Sequence, residues 1–321
     1  MASKRTKRIA TGLVILLALG GLWVAALTVG EGPVGFSEEW DEEVLAPGGE
    51  AKVAMVSVSG EIASSSGPFS EGASASTVVS QLEQAARDPD VKAVILNLET
   101  PGGAVVASDV IYRKVLDVRR RGTPAVALMG DVAASGGYYV AAGAQEVVAN
   151  PATITGSIGV ILVIPNLEKA ADKLGIRPMV FKSGPHKDLA SPFRTPTPEE
   201  EAILQGVIDE AYGQFVAAVA SGRKMAEARV REIADGRIYT GAQARSLGLV
   251  DHLGGRDLAL RRARELAKAP RARLVRYTRS PGLLGSLVGI RGASLSGLLP
   301  ERARGLGIDL TPGLKYLWLP N

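Results

Sequence analysis

One serine stands among small residues in the run Gly130-Asp131-Val132-Ala133-Ala134-Ser135-Gly136-Gly137-Tyr138-Tyr139. Before it, Val126 to Met129 is apolar and β-leaning, and Gly130 interrupts it. After it, the Ala/Gly/Tyr run through Ala142 suits a helix. A serine at such a strand-to-helix junction presents its hydroxyl at the tip. The unpaired N–H groups of a helix start lie beside it and can hold an oxyanion. This is the layout needed for nucleophilic attack on a carbonyl.

A serine hydroxyl needs a base. The chain has two histidines. His252, in Leu249-Val250-Asp251-His252-Leu253-Gly254-Gly255, reads as part of a helix end and turn. His186 lies in the loop Lys182-Ser183-Gly184-Pro185-His186-Lys187-Asp188-Leu189-Ala190-Ser191-Pro192-Phe193, beside Lys187. A lysine amine works as a base when burial away from carboxylates keeps it neutral. Asp188 is its sequence neighbour, but in an extended segment adjacent side chains point to opposite sides. Two more elements complete the set. Thr100-Pro101-Gly102-Gly103-Ala104 follows a strand and frees backbone amides for close approach to a reacting carbonyl. Ile154-Thr155-Gly156-Ser157-Ile158-Gly159-Val160 carries a hydroxyl, Ser157, that could orient a lysine amine.

These residues need a scaffold, and the patterning supplies one. Strand-like runs at Val53–Val58, Val91–Leu98, Ala125–Met129, Glu146–Ala149, Val160–Ile164 and Pro178–Phe181 alternate with helical stretches. The helical stretches are Val78–Arg87, Val105–Arg121, Ser135–Ala142, Leu167–Leu174, a long one through Ala220 and Arg223–Ala234. Thr197-Pro198-Glu199-Glu200-Glu201 opens the long helix, with threonine as N-cap, proline next and acids in the first turn. Such alternation predicts a layered α/β fold around a largely parallel sheet.

Composition narrows the function. A hydrophobic fraction of 46% supports a sizeable core, and 37 basic against 33 acidic residues leave a net charge of +4. No basic patch interleaved with aromatics is present, so nucleic acid is not an expected partner. The absence of cysteine excludes disulfides, a thiol nucleophile and Cys-ligated zinc. Lys4, Arg5, Lys7 and Arg8 precede an uncharged run from Ile9 to Gly30, about the length that crosses a ~30 Å hydrocarbon core. Acidic residues follow it. This predicts a cytoplasmic tip and transmembrane anchor over residues 1–30, held in membrane lipid with the remainder outside. The rival reading is a cleaved signal peptide. Residues 31–51 read as an acidic Gly/Pro linker, 52–270 as the catalytic domain and 271–321 as a proline-interrupted tail without an assigned role.

Asn97-Leu98-Glu99-Thr100-Pro101-Gly102-Gly103, the Ser135 run, Thr155-Gly156-Ser157-Ile158-Gly159-Val160 and Lys187-Asp188-Leu189-Ala190-Ser191-Pro192-Phe193-Arg194 together resemble the signal peptide peptidase A (protease IV) family of serine peptidases, in its short single-domain bacterial form. The likeness runs from about Val53 to about Leu260. It implies a crotonase/Clp-protease-like fold and a Ser-Lys dyad, with Ser135 as nucleophile and Lys187 as general base and acid. Ser157 would hydrogen-bond Lys187. Amides of Gly136 and of Gly102 or Gly103 would form the oxyanion hole. It implies no metal or cofactor, a homo-oligomeric ring, and peptide substrates left from cleaved signal peptides. The Gly/Ala-rich surroundings of Ser135 point to small or apolar substrate side chains. Glu99-Thr100 departs from the pattern, where relatives often carry a shorter hydroxyl residue and no acid.

Three other readings remain at this stage. One uses His186 as the base. Another is a catalytically silent ring-forming membrane scaffold of the same fold. The last is an acyl-CoA enzyme on a related scaffold, which an outward-facing domain disfavours.

Overall fold

The computed structural model describes residues 40–64, 72–278 and 315–317. The anchor read at residues 1–30 lies outside them. No helix among the described residues is long and apolar enough to cross a membrane.

The strands are β1 (Asp41–Ala46), β2 (Gly49–Ser59), β3 (Ile62–Ala63), β4 (Ala73–Ser74), β5 (Val91–Thr100), β6 (Gly102–Ala104), β7 (Ala125–Ala134), β8 (Glu146–Ala149), β9 (Ile154–Gly156), β10 (Ile238–Thr240), β11 (His252–Leu253), β12 (Ala272–Thr278) and β13 (Lys315–Leu317). The helices are α1 (Ala75–Arg87), α2 (Val105–Arg120), α3 (Gly136–Ala141), α4 (Glu168–Lys173), α5 (Pro198–Arg223), α6 (Glu227–Ile233), α7 (Gly241–Ser246) and α8 (Arg256–Leu266).

The main sheet runs β1-β12-β2-β5-β7-β8-β11, with β9 joined to β7 and β10 to β9. Its centre is parallel, as the alternating pattern predicts. Strands buried on both faces need apolar side chains at successive positions, and the central strands have them. Val53, Met55, Ala93, Ile95, Val126 and Leu128 pack with Ala259, Leu260 and Ala263 of α8. The intervening Ala54, Val56, Val94, Leu96, Leu98 and Ala127 pack on the other face with α1, α2 and α3. A small second sheet, β13-β6-β3-β4, lies at the carboxyl end of this arrangement.

Local chemistry fixes several element ends. Thr197 caps α5 through a full capping box: its hydroxyl accepts from the Glu200 amide at 3.2 Å, and the Glu200 carboxylate accepts from the Thr197 amide at 2.9 Å. The sheet extends beyond the boundaries drawn from sequence. Strand β1 lies within the stretch read as linker, and β12 within the stretch read as tail, the two pairing antiparallel with each other. Two stretches read as strands are not strands. Val160–Ile164 contributes only an isolated bridge from Ile161 to Lys315. Pro178–Phe181 has no partner strand, and Met179 and Phe181 are 83% and 91% exposed. An apolar run becomes a strand only where a sheet edge is available to pair with it. His252 lies in strand β11 rather than a turn, its Nε2 3.2 Å from Glu146.

Candidate active site

Strand β7 extends past the apolar core into Gly130–Ala134, and three side chains hold that extension. The β5–β7 register jumps from Leu98↔Met129 to Thr100↔Ala133, so β7 bulges between these pairs. The Glu99 carboxylate fills the bulge, accepting from the amides of Asp131 at 2.8 Å and Val132 at 3.2 Å. A β-carbon on Gly130 would fall 1.9 Å from Glu99 Oε2, so the carboxylate needs a glycine there. Thr153 and Thr155 hydroxyls donate to the carbonyls of Gly130 and Ala133, each at 2.7 Å. From sequence, Glu99 reads together with Thr100 only as a departure from the family pattern, with no positional role.

The clamped strand delivers Ser135 to the turn before α3. Ser135 has φ 53° and ψ −115°, a backbone conformation that costs a non-glycine residue of order 1–3 kcal/mol. Sharp, strained strand-to-helix turns of this kind present nucleophilic serines in hydrolases. Ser135 is 1% exposed, and its Oγ is buried without a hydrogen-bond partner among the described residues. Its amide donates to the Gly156 carbonyl at 2.8 Å. Because Ala134 pairs with Gly156 on β9, Ser135 and Ser157 follow one another in register. Ser157 is also buried, with φ 49°, and lines an open cavity of about 390 Å³ with Gly159, Ile161, Tyr212 and Leu317.

The glycine amides expected to hold an oxyanion gather at the same place. A β-carbon on Gly102, where φ is +104°, would fall 2.7 Å from the Gly136 nitrogen. The Gly102 amide itself is engaged, donating to Thr100 Oγ1 at 3.1 Å. Gly103 is paired with Tyr316 of β13.

Lys187 is not brought to Ser135 within the chain. It is exposed, on the loop between α4 and α5, and its amine makes no ion pair among the described residues. The neighbouring Asp188 does not hold it either. That carboxylate accepts from Lys182 Nζ at 2.7 Å and from Arg194 at 2.9 and 3.0 Å, and these donors, Arg194 foremost, hold its pKa far below the usual carboxylate range. Arg194 also spans to the buried Glu200 at 2.5 and 2.7 Å, drawing that carboxyl down to about 2. His186, the alternative base, sits 3.6 Å from the exposed Glu199 and is not hydrogen-bonded to Ser135. Among the described residues no His/Cys/Asp/Glu cluster could hold a metal ion.

A strained buried serine beside a pair of glycine turns is a geometry that suits acyl transfer. Comparisons with known proteins give the family. A family model described as peptidase family S49 matches residues 117–270. A protein of Synechocystis sp. named as a protease is 44% identical over 216 residues, covering 67% of this chain and 74% of that one. A protein of Enterococcus faecium named as the signal peptide peptidase SppA is 37% identical, covering 82% of this chain and 78% of that one. Protease 4 of Salmonella typhi is also 37% identical, over 70% of this chain but 36% of its own length. The chain belongs to peptidase family S49, among relatives named signal peptide peptidase and protease 4.

Proposed function

We propose that this chain is a membrane-anchored serine endopeptidase of crotonase/Clp-protease-like fold that degrades the remnants of cleaved signal peptides. Ser135 is the nucleophile, Lys187 the general base and acid, and Ser157 the hydroxyl that orients the lysine amine. The amides of Gly136 and of Gly102 or Gly103 receive the oxyanion. The observation that carries this reading is the unpartnered Ser135 hydroxyl, buried at a strained turn. Removing a polar group from water without a partner costs about 1–3 kcal/mol, and a nucleophile awaiting its base is a reason to retain one.

The base arrives from a second copy of the chain. In support, Lys187 rides on an exposed loop whose nearby Met179 and Phe181 are among the most exposed apolar side chains described, and such patches mark association surfaces. Asp188 is occupied by Arg194 and Lys182, so the amine meets no carboxylate from its neighbour. Ser157, next to the Gly156 that takes the Ser135 amide, lines an open cavity. Neighbouring copies in a ring would complete each other's dyads.

Hydrolysis of a synthetic signal peptide by the full chain in detergent tests this. Ser135→Ala and Lys187→Ala are each expected to lose turnover, and mixing the two variants to restore part of it, because mixed assemblies contain intact Ser135–Lys187 pairs. Undiminished turnover by Ser135→Ala would overturn the proposal.

A further inference from the structure

Two buried hydroxyl side chains, Thr100 and Ser108, lie against the glycines that follow Ser135. A β-carbon on Gly136 would fall 2.6 Å from Ser108 Oγ, and one on Gly137 would fall 2.7 Å from Thr100 Cγ2. The start of α3 therefore sits between these two side chains, with no room for one of its own. The same two hydroxyls hold the ends of β6. Ser108 Oγ donates to the Ala104 carbonyl at 3.0 Å. Thr100 Oγ1 accepts from the Gly102 amide at 3.1 Å and donates to the Gly102 carbonyl at 3.3 Å.

The Thr100 bonds act on both β6 amides assigned to the oxyanion. A peptide group is planar and trans, so a carbonyl and the amide that follows it point in opposite directions. Holding the Gly102 carbonyl fixes the direction of the Gly103 amide, and the Gly102 amide is held directly. Gly102 needs such a hold, because its φ of +104° comes with the conformational freedom of a residue that has no β-carbon. The hydroxyl can impose order only if its own torsion is fixed. Threonine is β-branched and stiff at χ1, and here its methyl is pinned against Gly137.

We propose that Thr100 is a positioning residue for the reaction. Its hydroxyl sets the direction of the β6 glycine amides that receive the oxyanion, and its methyl keys them to the start of α3, where Gly136 supplies the partner donor. This rests on, and deepens, the reading of Ser135 as nucleophile. Thr100 acts through Gly102 and Gly137. Its effect belongs to the transition state, because the substrate oxygen gains its charge only as Ser135 Oγ adds to the carbonyl carbon and the serine proton passes to Lys187.

The test uses the full chain in detergent, with a synthetic signal peptide as substrate and a peptide aldehyde of the cleaved sequence as inhibitor. The aldehyde adduct with Ser135 places an oxygen where the oxyanion forms. Rates are expressed per site titrated to completion by a fluorophosphonate, so an unfolded fraction does not count. Thr100→Val keeps the shape and loses the hydroxyl. It is expected to lower kcat by about tenfold, the worth of one buried hydrogen bond, with KM unchanged and aldehyde affinity reduced by the same factor. Thr100→Ser restores the hydroxyl without the methyl. Its kcat is expected to return to within about threefold of wild type, since the freed side chain has three staggered rotamers to visit. A wild-type rate per site in Thr100→Val, or a lowered rate with aldehyde affinity unchanged, would overturn the inference and leave Ser135 as nucleophile. Turnover that persists in Ser135→Ala would overturn that reading and the inference with it.

Discussion

The Ser135 amide donates to the Gly156 carbonyl at 2.8 Å, and this bond makes Ser157 the neighbour of Ser135 across the β7–β9 pair. Both serines follow the last paired residues of their strands, and both have positive φ, 53° and 49°. On the proposed reading, the two hydroxyls bracket one position for an incoming amine. Ser157→Ala is therefore expected to lower kcat by about tenfold or more with KM little changed, since the amine loses its orientation while the groove is untouched. Steady-state kinetics on a signal peptide check this.

Glu99 acts on Ser135 only through the bulge it fills. Its carboxylate takes the Asp131 and Val132 amides, so Glu99→Ala leaves two backbone donors without their partner. The expected outcome is a kcat loss of about tenfold, about 1.4 kcal/mol of barrier, in a protein that still folds. Glu99→Gln, which keeps one carbonyl acceptor, should recover most of the rate. Equal rates in the alanine variant and wild type would show that the bulge keeps its shape unaided.

The Lys187 loop is tied to α5 by Arg194, which bridges Asp188 and Glu200. Both carboxyls are depressed, Glu200 to about 2 from an ordinary 4.5. A depressed carboxyl stabilises the folded state above its unfolded pKa and loses that contribution as pH falls toward the folded value. Loop order should therefore hold at neutral pH and weaken on acidification between about 4.5 and about 2. Hydrogen exchange of the residue 186–197 amides across that range would show it, and Arg194→Met should remove the dependence.

The Asp251 carboxylate receives the Val147 amide at 2.7 Å and Arg223 at 2.6 Å. Burial opposes its charge, but Arg223, with the Val147 amide and His252, offsets that and leaves its pKa lowered. Asp251→Ala strands a nearly buried guanidinium and is expected to cost about 3 kcal/mol, read from urea unfolding. A loss under 1 kcal/mol would mean that Arg223 finds other acceptors.

Much of this was legible in sequence because it is local. The capping box at Thr197 and Glu200 lies within one turn, and the central strands announce themselves as apolar runs. The serine turn is marked by its own glycines and alanines. What escaped notice depends on distant pairing. Strand β1, of sequence Asp-Glu-Glu-Val-Leu-Ala, is largely exposed and polar, and only β12, more than two hundred residues later, makes it a strand. Tyr316 gave no sign of its place, since the ring it stacks on and the carbonyl it donates to, those of Tyr139 and Ala211, come from α3 and α5. Glu99 looked like a family departure because its partners, two backbone amides, carry no sequence signature.

The most direct test is covalent labelling with a serine-directed fluorophosphonate, with the site read by peptide mass mapping in wild type and Lys187→Ala. The expected result is a single adduct on Ser135 in wild type and a loss of labelling in the lysine variant, both at unchanged assembly size. An intact wild-type protein that carries no adduct on Ser135, or one that labels there equally well without the lysine, would contradict the Ser135–Lys187 assignment.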